Sequence, residues 1–129
     1  MTIRIKNLDH LVITATNLQA TIDFYTKVLG MEHVAFGDNL HAVHFGDKKF
    51  NIHYASSNVS PKAKNIVPGS EDFCLIFETS VSHMTQHLQD CGVTVEQGPV
   101  MRSGAAGVPQ SVYFRDPDGN LVEVTNVIG

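Results

Sequence analysis

Hydrophobic and polar residues alternate along this chain in an order that occurs twice. The first occurrence predicts a strand over residues 8–14, followed by a helix in which apolar residues recur at helical spacing. Asn17 has the side chain of a helix N-cap, and Gly30 is typical of the residue that ends a helix. Three shorter strands are predicted after the helix, at about 31–37, 40–46 and 49–54. The first half is therefore predicted to be a βαβββ module.

The second half repeats this order of elements. The segment DFCLIFE, residues 72–78, predicts a strand, and Ser80 and Gly92 mark the beginning and the end of a second helix. The last three strands are predicted at about 93–98, 111–115 and 121–126. Two βαβββ modules in one chain predict an α+β fold in which the modules form a curved mixed sheet around a cleft.

The segment between the two modules is polar, contains two prolines and matches neither the strand period nor the helix period. We expect a single domain over residues 1–129, with modules at about 7–55 and 71–127 and a linker at about 56–70. A chain of 129 residues can bury about two thirds of its unfolded surface, which is enough for a self-supporting core.

Charge and composition argue against several classes of protein. The net charge is −4 with neutral histidines and the nine Lys and Arg residues are scattered, so we expect no nucleic-acid partner. No apolar run is long enough to span a bilayer and no signal peptide is recognisable, so we expect no membrane partner and a cytoplasmic location. Cys74 and Cys91 lie in apolar settings without a CxxC neighbour and are predicted to be small core residues of a reduced protein.

Strand alternation predicts which side chains face the cleft. One face of each strand should pack on a helix and be apolar, as Leu11 and Ile13 would in the first strand. The residues between the apolar positions then face inward. On that face, the first and last strands of each module place side chains that can bind a metal: His10, Asn51 or His53, Asp72, and Glu123.

Each of these residues also has an ordinary explanation when it is considered alone. Glu123 could be a solvated strand residue, Asp72 could cap a turn, and His53 could be a surface histidine. Their convergence changes the interpretation, because two buried carboxylates beside a histidine are stable mainly when a cation neutralises them. The sequence therefore predicts a metal-binding cleft, and mixed imidazole and carboxylate ligands suit Ni, Zn, Mn, Co or Fe(II).

Several motifs resemble those of one known superfamily. DHLVIT, TIDFYTKVLGM and YFRDPDGNLVEV occur in this order within residues 7–127 and resemble the vicinal oxygen chelate superfamily. That superfamily includes glyoxalase I, methylmalonyl-CoA epimerase, fosfomycin-modifying enzymes, extradiol dioxygenases and bleomycin-binding proteins. Within it, HFGDKKFNIH and VPGSEDFCLI are similar to segments of the small proteins called glyoxalase domain-containing protein 5.

The resemblance implies metal ligands at particular positions. His10 matches the first-strand ligand of the family and Glu123 the last-strand ligand. Asp72 falls at the fifth-strand position, where glyoxalase I has a histidine. The fourth-strand position matches Asn51 best, with His53 two residues later on the same face. We predict the metal ligands His10, His53, Asp72 and Glu123, and leave open whether Asn51 or His53 is the fourth-strand ligand.

The resemblance implies a catalytic base, and strand faces and local sequence suggest further catalytic and substrate-binding groups. Glu123 is predicted to be the base of a glyoxalase-type reaction, and Tyr113 to donate to a developing oxyanion, although Tyr113 could equally fill the cleft. Substrate contacts are predicted for Asn51, Arg102 and Arg115. Arg102 lies in the segment RSGAAG, which could close over an anionic substrate or be a plain surface loop.

These observations predict a metal-dependent glyoxalase-type lyase or isomerase, similar to lactoylglutathione lyase, whose substrate is small and oxygen-rich, with a glutathione adduct as one candidate. Two alternatives stay open. One is an Fe(II) extradiol-type dioxygenase that uses His10, His53 and Glu123, and the other is a non-catalytic drug- or metabolite-binding protein of the bleomycin-resistance type. A homodimer is expected because open sheets leave edges that a second chain can cover. The cleft could form within one chain or between two.

Overall fold

The computed structural model describes residues 2–101 and 110–126. The chain divides into two compact units, Met1–Ile66 and Val67–Gly129, which we call the first and the second module. Their boundary lies inside the predicted linker. Within the described residues, neither helical segment is long and apolar enough to cross a membrane.

The first module is a four-stranded mixed sheet with one helical segment. Its elements are β1 (His10–Ala15), α1 (Leu18–Asp23), a π-helical turn (Phe24–Val28), β2 (Glu32–Phe36), β3 (Leu40–Phe45) and β4 (Lys48–Tyr54). The strands lie in the order β1-β4-β3-β2. β1 pairs with β4 in parallel, and the other neighbours are antiparallel.

The second module has the same organisation. Its elements are β5 (Asp72–Phe77), α2 (Val81–Asp90), β6 (Gln97–Met101), β7 (Gln110–Arg115) and β8 (Leu121–Asn126). The strands lie in the order β5-β8-β7-β6, and β5 pairs with β8 in parallel. The predicted α+β fold of two βαβββ modules is confirmed.

Both helices begin at the predicted caps. The side-chain oxygen of Asn17 accepts a hydrogen bond from the Ala20 N–H at 2.9 Å, and that of Ser80 accepts one from the His83 N–H at 3.2 Å. The first helix differs from the prediction in one respect, because it changes from α-helical to π-helical geometry after Asp23. There the Thr26 hydroxyl donates to the Ile22 carbonyl at 2.8 Å, which satisfies an oxygen that the α-helical ladder would otherwise use.

The sixth strand lies later in the chain than predicted, at Gln97–Met101 instead of 93–98. Val93 is held by the end of α2, since its N–H donates to the Leu88 carbonyl at 2.8 Å. The pairing of β6 with β7 shifts register between Gln97 and Val100, around Gly98 with φ of +109°. A Cβ atom at Gly98 would overlap the Ser111 carbonyl oxygen, so this bulge requires glycine.

The predicted apolar faces form the core of each module. Tyr25, from the helical segment, packs edge to face on Phe50 of β4 with ring centroids 5.8 Å apart, which identifies the helix-covered face of the first sheet. The buried strand residues on the helix-covered faces include Ile13, Phe50, Ile52, Leu75, Val112, Phe114, Val122 and Val124. Strand alternation therefore assigned the faces of both sheets as the structure has them.

The expectation that both cysteines are core residues is wrong. Cys74 and Cys91 are free thiols and both are exposed. Cys74 occupies edge strand β5 on the face opposite α2, and Cys91 follows the last turn of α2, whose buried residues are Val81, Met84 and Leu88. An apolar neighbourhood in the sequence did not distinguish these positions from the buried ones.

The segment DPDGN, residues 116–120, forms a turn that fixes the start of β8. The buried Asp116 carboxylate accepts hydrogen bonds from the backbone N–H groups of Asp118 and Asn120, at 3.0 and 2.9 Å, and from the Asn120 side-chain amide at 2.7 Å. The Asn120 side-chain oxygen in turn accepts from the Glu71 N–H at 2.8 Å. This network joins the start of β5 to the start of β8.

Candidate functional site

The polar residues that strand alternation predicted for the first module lie on the face of the sheet opposite the helical segment. Residues paired across neighbouring strands point to the same face. His10 pairs with Lys49, Val12 with Asn51, and Thr14 with His53, so all of these side chains share one face, which we call the first polar face. The prediction that His10, Asn51 and His53 lie on one face is confirmed.

The register shows which of the two β4 candidates lies nearer to His10. Asn51 is two residues beyond Lys49, the partner of His10, and His53 is four residues beyond it. At a rise of about 3.3 Å per residue, these offsets along the sheet are about 7 Å and about 13 Å. Asn51 is therefore better placed than His53 to share a ligand with His10.

Asn51 also carries an acceptor without a partner. Its side-chain oxygen Oδ1 is buried and has no hydrogen-bond partner among the described residues. A buried polar atom without a hydrogen-bond partner lowers the stability of the folded state, and such atoms are uncommon in native proteins. An oxygen of this kind suits either a cation or a hydrogen-bond donor of a bound molecule.

His10 is oriented by its neighbour Asp9. The ring nitrogen Nδ1 lies 2.8 Å from the Asp9 carboxylate, and this hydrogen bond holds the pKa of Asp9 below its usual value. Because the carboxylate only accepts, Nδ1 is the donor in this hydrogen bond, which leaves Nε2 as the ring nitrogen that could bind a metal. This is the arrangement in which a metal-binding histidine is held by a carboxylate. Sequence reasoning did not identify Asp9, although it precedes His10 directly.

The second module has a corresponding polar face, opposite α2. Asp72 pairs with Leu121, and Glu123 pairs with Cys74 on one side and with Tyr113 on the other. The Ser111 hydroxyl donates to Glu123 Oε2 at 2.7 Å and fixes the orientation of the carboxylate. Ser111 and Cys74 are neighbours of Glu123 that sequence reasoning placed on this face without giving them a role.

The two polar faces place their candidate ligands in the same relative positions. Glu123 is two residues beyond the partner of Asp72, just as Asn51 is two residues beyond the partner of His10. Each module thus offers one side chain from its first strand and one from its last strand in the same diagonal arrangement. This equivalence, together with the unpaired oxygen, favours Asn51 over His53 as the fourth-strand residue.

Arg115, a predicted substrate contact, is occupied by other interactions. Its guanidinium donates to both carboxylate oxygens of Glu96, at 3.1 and 3.0 Å, and to the Gly119 carbonyl at 3.2 Å. This ion pair raises the pKa of Arg115 above its usual value. Arg115 therefore stabilises the turn before β8 through these hydrogen bonds. Its contact with a substrate stays a prediction. Arg102, the other predicted cationic contact, lies outside the described residues.

The donors on the two polar faces fit a divalent transition metal ion in chemical type. They are an imidazole nitrogen, an amide oxygen without a partner, and carboxylate oxygens. Within the described part of each module taken separately, no three His, Cys, Asp or Glu residues form a group that could hold a metal. An ion bound by such donors would act as a Lewis acid towards substrate oxygens.

The His53 imidazole is predicted to reduce stability in acid. Its pKa is lowered, first by burial and second by the charge of His10. The folded state therefore binds this proton more weakly than the unfolded chain, and the free energy of unfolding should fall as the pH drops below about 6.5. In His53→Gln this fall should be smaller, as measured by urea denaturation between about pH 7.5 and 5. The exposed His83→Gln is the control, and equal acid losses in His53→Gln and the wild type would contradict the prediction.

The Cys74 thiol reports on its contact with Glu123. Partial burial, then the charge of Glu123 and a hydrogen bond to it, raise the pKa of Cys74 to about 11. At pH 8 only about one Cys74 in a thousand is then a thiolate, so alkylation should be slow. In a Cys91→Ser background, Glu123→Gln should speed iodoacetamide labelling of Cys74 severalfold, as measured by mass spectrometry. Glu78→Gln should leave the rate unchanged, and an unchanged rate in Glu123→Gln would refute the contact.

The chain is similar to proteins of one large superfamily. A family model described as Glyoxalase/Bleomycin resistance protein/Dioxygenase superfamily matches residues 7–124. The Glyoxalase domain-containing protein RDO1 of Mycosarcoma maydis is 45% identical over 122 residues, which cover 95% of this chain and 69% of that protein. The Virulence protein STM3117 of Salmonella typhimurium is 40% identical over 124 residues, covering 96% of this chain and 86% of that protein. An integron cassette protein of V. cholerae has a solved structure with a TM-score of 0.94, 46% identity and 98% of each chain covered.

More distant solved structures show the range of proteins that share this fold. A lactoylglutathione lyase from Agrobacterium tumefaciens has a TM-score of 0.70 and 25% identity, with 93% of this chain and 92% of that chain covered. The fosfomycin resistance protein FosX from Listeria monocytogenes, complexed with Mn(II) and sulfate, has a TM-score of 0.67 and 18% identity, covering 96% and 92%. The antibiotic binding protein TnmS3 from Streptomyces has a TM-score of 0.75 and 20% identity, covering 98% and 99%. Enzymes and binding proteins thus share the fold, so the function of this chain has to be inferred from the residues of its site.

Proposed function

We propose that this chain, which belongs to the Glyoxalase/Bleomycin resistance protein/Dioxygenase superfamily, is a metal-dependent lyase or isomerase that acts on a small substrate with two adjacent oxygens. The observation that carries the proposal is the pair formed by His10 and Asn51 on the first polar face. Asp9 engages Nδ1 of His10, which leaves Nε2 as the nitrogen that could bind an ion, and Asn51 has a buried oxygen without a partner in the described chain. The unpaired oxygen of Asn51 suits a divalent ion better than it suits an unoccupied site.

The proposed ligand set takes one residue from each of four strands. It consists of His10 and Asn51 from the first module and Asp72 and Glu123 from the second. This set replaces His53 with Asn51, for which the register and the unpaired oxygen are the support. Nickel, zinc, manganese, cobalt and iron(II) all accept such donors, so the identity of the ion is a question for reconstitution.

The chain's own residues would perform the proton transfer. The Glu123 carboxylate would remove a proton from the carbon beside the substrate carbonyl and return it to the neighbouring carbon, as a general base and then a general acid. Ser111 holds Glu123 Oε2 in position, and Tyr113 lies directly across from Glu123 on β7. The Tyr113 hydroxyl is the proposed donor to the oxygen that gains negative charge.

Metal reconstitution tests the proposal directly. Protein stripped with a chelator and loaded separately with Ni²⁺, Zn²⁺, Mn²⁺, Co²⁺ or Fe²⁺ should bind about one equivalent of at least one ion. The loaded protein should isomerise 2-oxoaldehydes, offered both as hemithioacetals of glutathione and as the free hydrates. Glu123→Gln should lose turnover while it retains the fold. Stoichiometric metal without turnover on any of these substrates would contradict the isomerase, and less than about a tenth of an equivalent of every ion would contradict the metal site.

A metal-free binding protein is the second candidate. The observation that favours it is a cavity of about 360 Å³ in the first module, since cavities of roughly 300–1,000 Å³ hold small ligands. The extradiol dioxygenase is less well supported, because the register separates His53 from His10 by about 13 Å along the sheet. Elemental analysis of the purified protein distinguishes the binding protein from the metalloenzyme.

We further propose a reducing, cytoplasmic setting and a homodimer. Both cysteines are free, which fits a reducing compartment.

Ile3, Ile5 and Leu8 precede β1 and are strongly exposed, at 91%, 91% and 62%. Apolar residues exposed in this way suit burial against a second copy of the chain. Light scattering coupled to size-exclusion chromatography should give the mass of a dimer, and Ile3→Asp with Ile5→Asp should shift it towards the monomer.

A further inference from the structure

The first polar face carries one lysine, Lys49, directly opposite His10. Lys49 lies near the start of β4 and is paired with His10 of β1 on one side and with His44 of β3 on the other. Since paired residues point to the same face, the Lys49 side chain lies on the face that also carries Asn51. No other lysine or arginine occurs among the described strand residues of this face. Lys49 is half-buried, although lysine is mostly exposed in folded proteins.

The side chain of Lys49 extends across the sheet towards the edge strand β2. Its Nζ lies 4.8 Å from the centroid of the Phe36 ring. On β3, the partner of Lys49 is His44. The partner of Phe36 on the same strand is Leu40. Ala42 lies midway between these two partners, so the extended lysine crosses the sheet above Ala42. This path places the ammonium over the middle of the first polar face.

The ammonium of Lys49 is therefore close to the residues of the first module that are proposed for the metal site. Ala42 is the cross-strand neighbour of Asn51. Neighbouring strands lie about 4.8 Å apart, so an ammonium above β3 is about 5–10 Å from the Asn51 side chain. Asn51 carries the buried oxygen that has no partner in the described chain. A molecule held at Asn51 would thus reach Lys49 with a group that is only a few bonds away.

The positive charge of Lys49 has no carboxylate partner among the described residues. Every ion pair between described residues involves other side chains. The acidic side chains beside this row of paired residues are Asp9 and Glu32. Asp9 is engaged by the neighbouring imidazole at 2.8 Å, and Glu32 lies opposite His44, two strands away from Lys49. The contact with the aromatic ring is a cation–π interaction, which holds the ammonium and leaves its charge uncompensated.

The adjacent lysine, Lys48, differs in both respects. Its Nζ lies 2.7 Å from the Asp47 carboxylate, so its charge is balanced within the chain. Because successive strand residues alternate in direction, Lys48 points to the face opposite that of Lys49. The lysine on the polar face is therefore the one whose charge is free to bind an anion from outside the chain.

We propose that Lys49 binds a carboxylate of the substrate, attached a few bonds from the two oxygens that the metal site is proposed to hold. The inference rests on the proposed function for those two oxygens, and on the geometry of Lys49 for the carboxylate. One ammonium balances the single charge of a carboxylate, whereas a phosphate dianion would keep an uncompensated charge. A carboxylate at this position also lies between the ammonium and a divalent ion, two cations that repel each other. Lys49 then selects an anionic substrate over a neutral one.

Matched catechols test this selection. 3,4-Dihydroxybenzoate and 3,4-dihydroxybenzamide have nearly the same size and the same two adjacent oxygens, and only the first is an anion at pH 7. Titration calorimetry under nitrogen measures their affinities for Mn²⁺-loaded protein. The ion attracts the acid in every variant, so the quantity compared is the ratio of the acid affinity to the amide affinity. This ratio should fall about tenfold in Lys49→Met. An unchanged ratio would overturn the inference.

Two control variants separate the charge of Lys49 from its packing. Lys49→Arg keeps the positive charge and should keep the ratio within about threefold of the wild-type value. Lys48→Met removes the neighbouring lysine on the opposite face and should leave the ratio unchanged. If circular dichroism shows that Lys49→Met does not fold, Lys49→Gln takes its place. A ratio that falls as far in Lys49→Arg or in Lys48→Met as in Lys49→Met would also overturn the inference.

A metal-free arm separates this inference from the proposed function. Benzoate and benzamide lack the adjacent oxygens, so their binding to metal-free protein, measured by ligand-observed NMR, reports on the ammonium alone. A preference for benzoate that is lost in Lys49→Met would support the carboxylate site even if no divalent ion bound, a result that would contradict the metal site. Metal-dependent catechol binding with no effect of Lys49→Met on either acid-to-amide ratio would support the metal site and overturn the role of Lys49.

Discussion

His10→Ala should weaken binding of the preferred divalent ion by at least about 100-fold. Removal of residues that only orient a metal ligand costs about 10- to 100-fold in affinity, and His10 is proposed as a ligand itself. The fold should survive, because the His10 side chain is 41% exposed and lies at the start of β1. Competition with a chromophoric chelator measures the change, and circular dichroism confirms that the variant is folded.

Three further variants make this prediction specific. Asp9→Asn should weaken binding of the ion about tenfold, because it removes the negative charge that orients the imidazole through Nδ1. His44→Ala removes another histidine of the first polar face, opposite Lys49, and should change the affinity less than about threefold. His53→Ala should have an equally small effect if Asn51 is the fourth-strand ligand. A loss in His53→Ala as large as that in His10→Ala would restore His53 as a ligand and contradict the assignment of Asn51.

Asp116→Ala should lower the free energy of unfolding by about 3 kcal/mol. The substitution removes the acceptor of two backbone N–H groups and of the Asn120 side-chain amide. Since Asn120 is fully buried, its donors cannot turn to water, and an unsatisfied buried donor costs about 1–3 kcal/mol. For a chain of this size the loss corresponds to a decrease of about 10 °C in Tm. Urea and thermal denaturation measure both quantities.

The control for this prediction is an aspartate in an exposed turn. Asp38→Ala changes the same residue type in the turn between β2 and β3 and should shift stability by less than about 0.5 kcal/mol. Asn120→Ala should resemble Asp116→Ala, and the double variant should cost less than the sum, because the two side chains share one network. A loss below about 1 kcal/mol in Asp116→Ala would show that the turn does not depend on this carboxylate.

The polar faces show how far the sequence alone determines the candidate site. Whether a strand residue faces a helix depends only on its position relative to the apolar row, because side chains alternate with a period of two. This local rule placed His10, Asn51, Asp72 and Glu123 on the faces where the structure has them. The helix caps Asn17 and Ser80 were equally predictable, since a cap bonds to a backbone group three residues away.

Other features depend on groups that are distant in the sequence. The sixth strand begins only after Val93 is tied to the end of α2, and its register with β7 shifts around Gly98. The exposure of Cys74 and Cys91 could not be recognised, because an apolar segment contributes to the core and also to exposed positions, here an edge strand and the end of a helix.

The sequence by itself determined the two βαβββ modules, the faces of their strands and the resemblance to the superfamily, because period, caps and motifs are local properties of the chain. Only the tertiary structure decided which residues are neighbours across strands. It placed Asn51 nearer than His53 to the partner of His10, Ser111 on the Glu123 carboxylate, and Asn120 on the Glu71 N–H. The physical reason is that strand register and long-range hydrogen bonds depend on how whole sheets pair, which no single segment specifies.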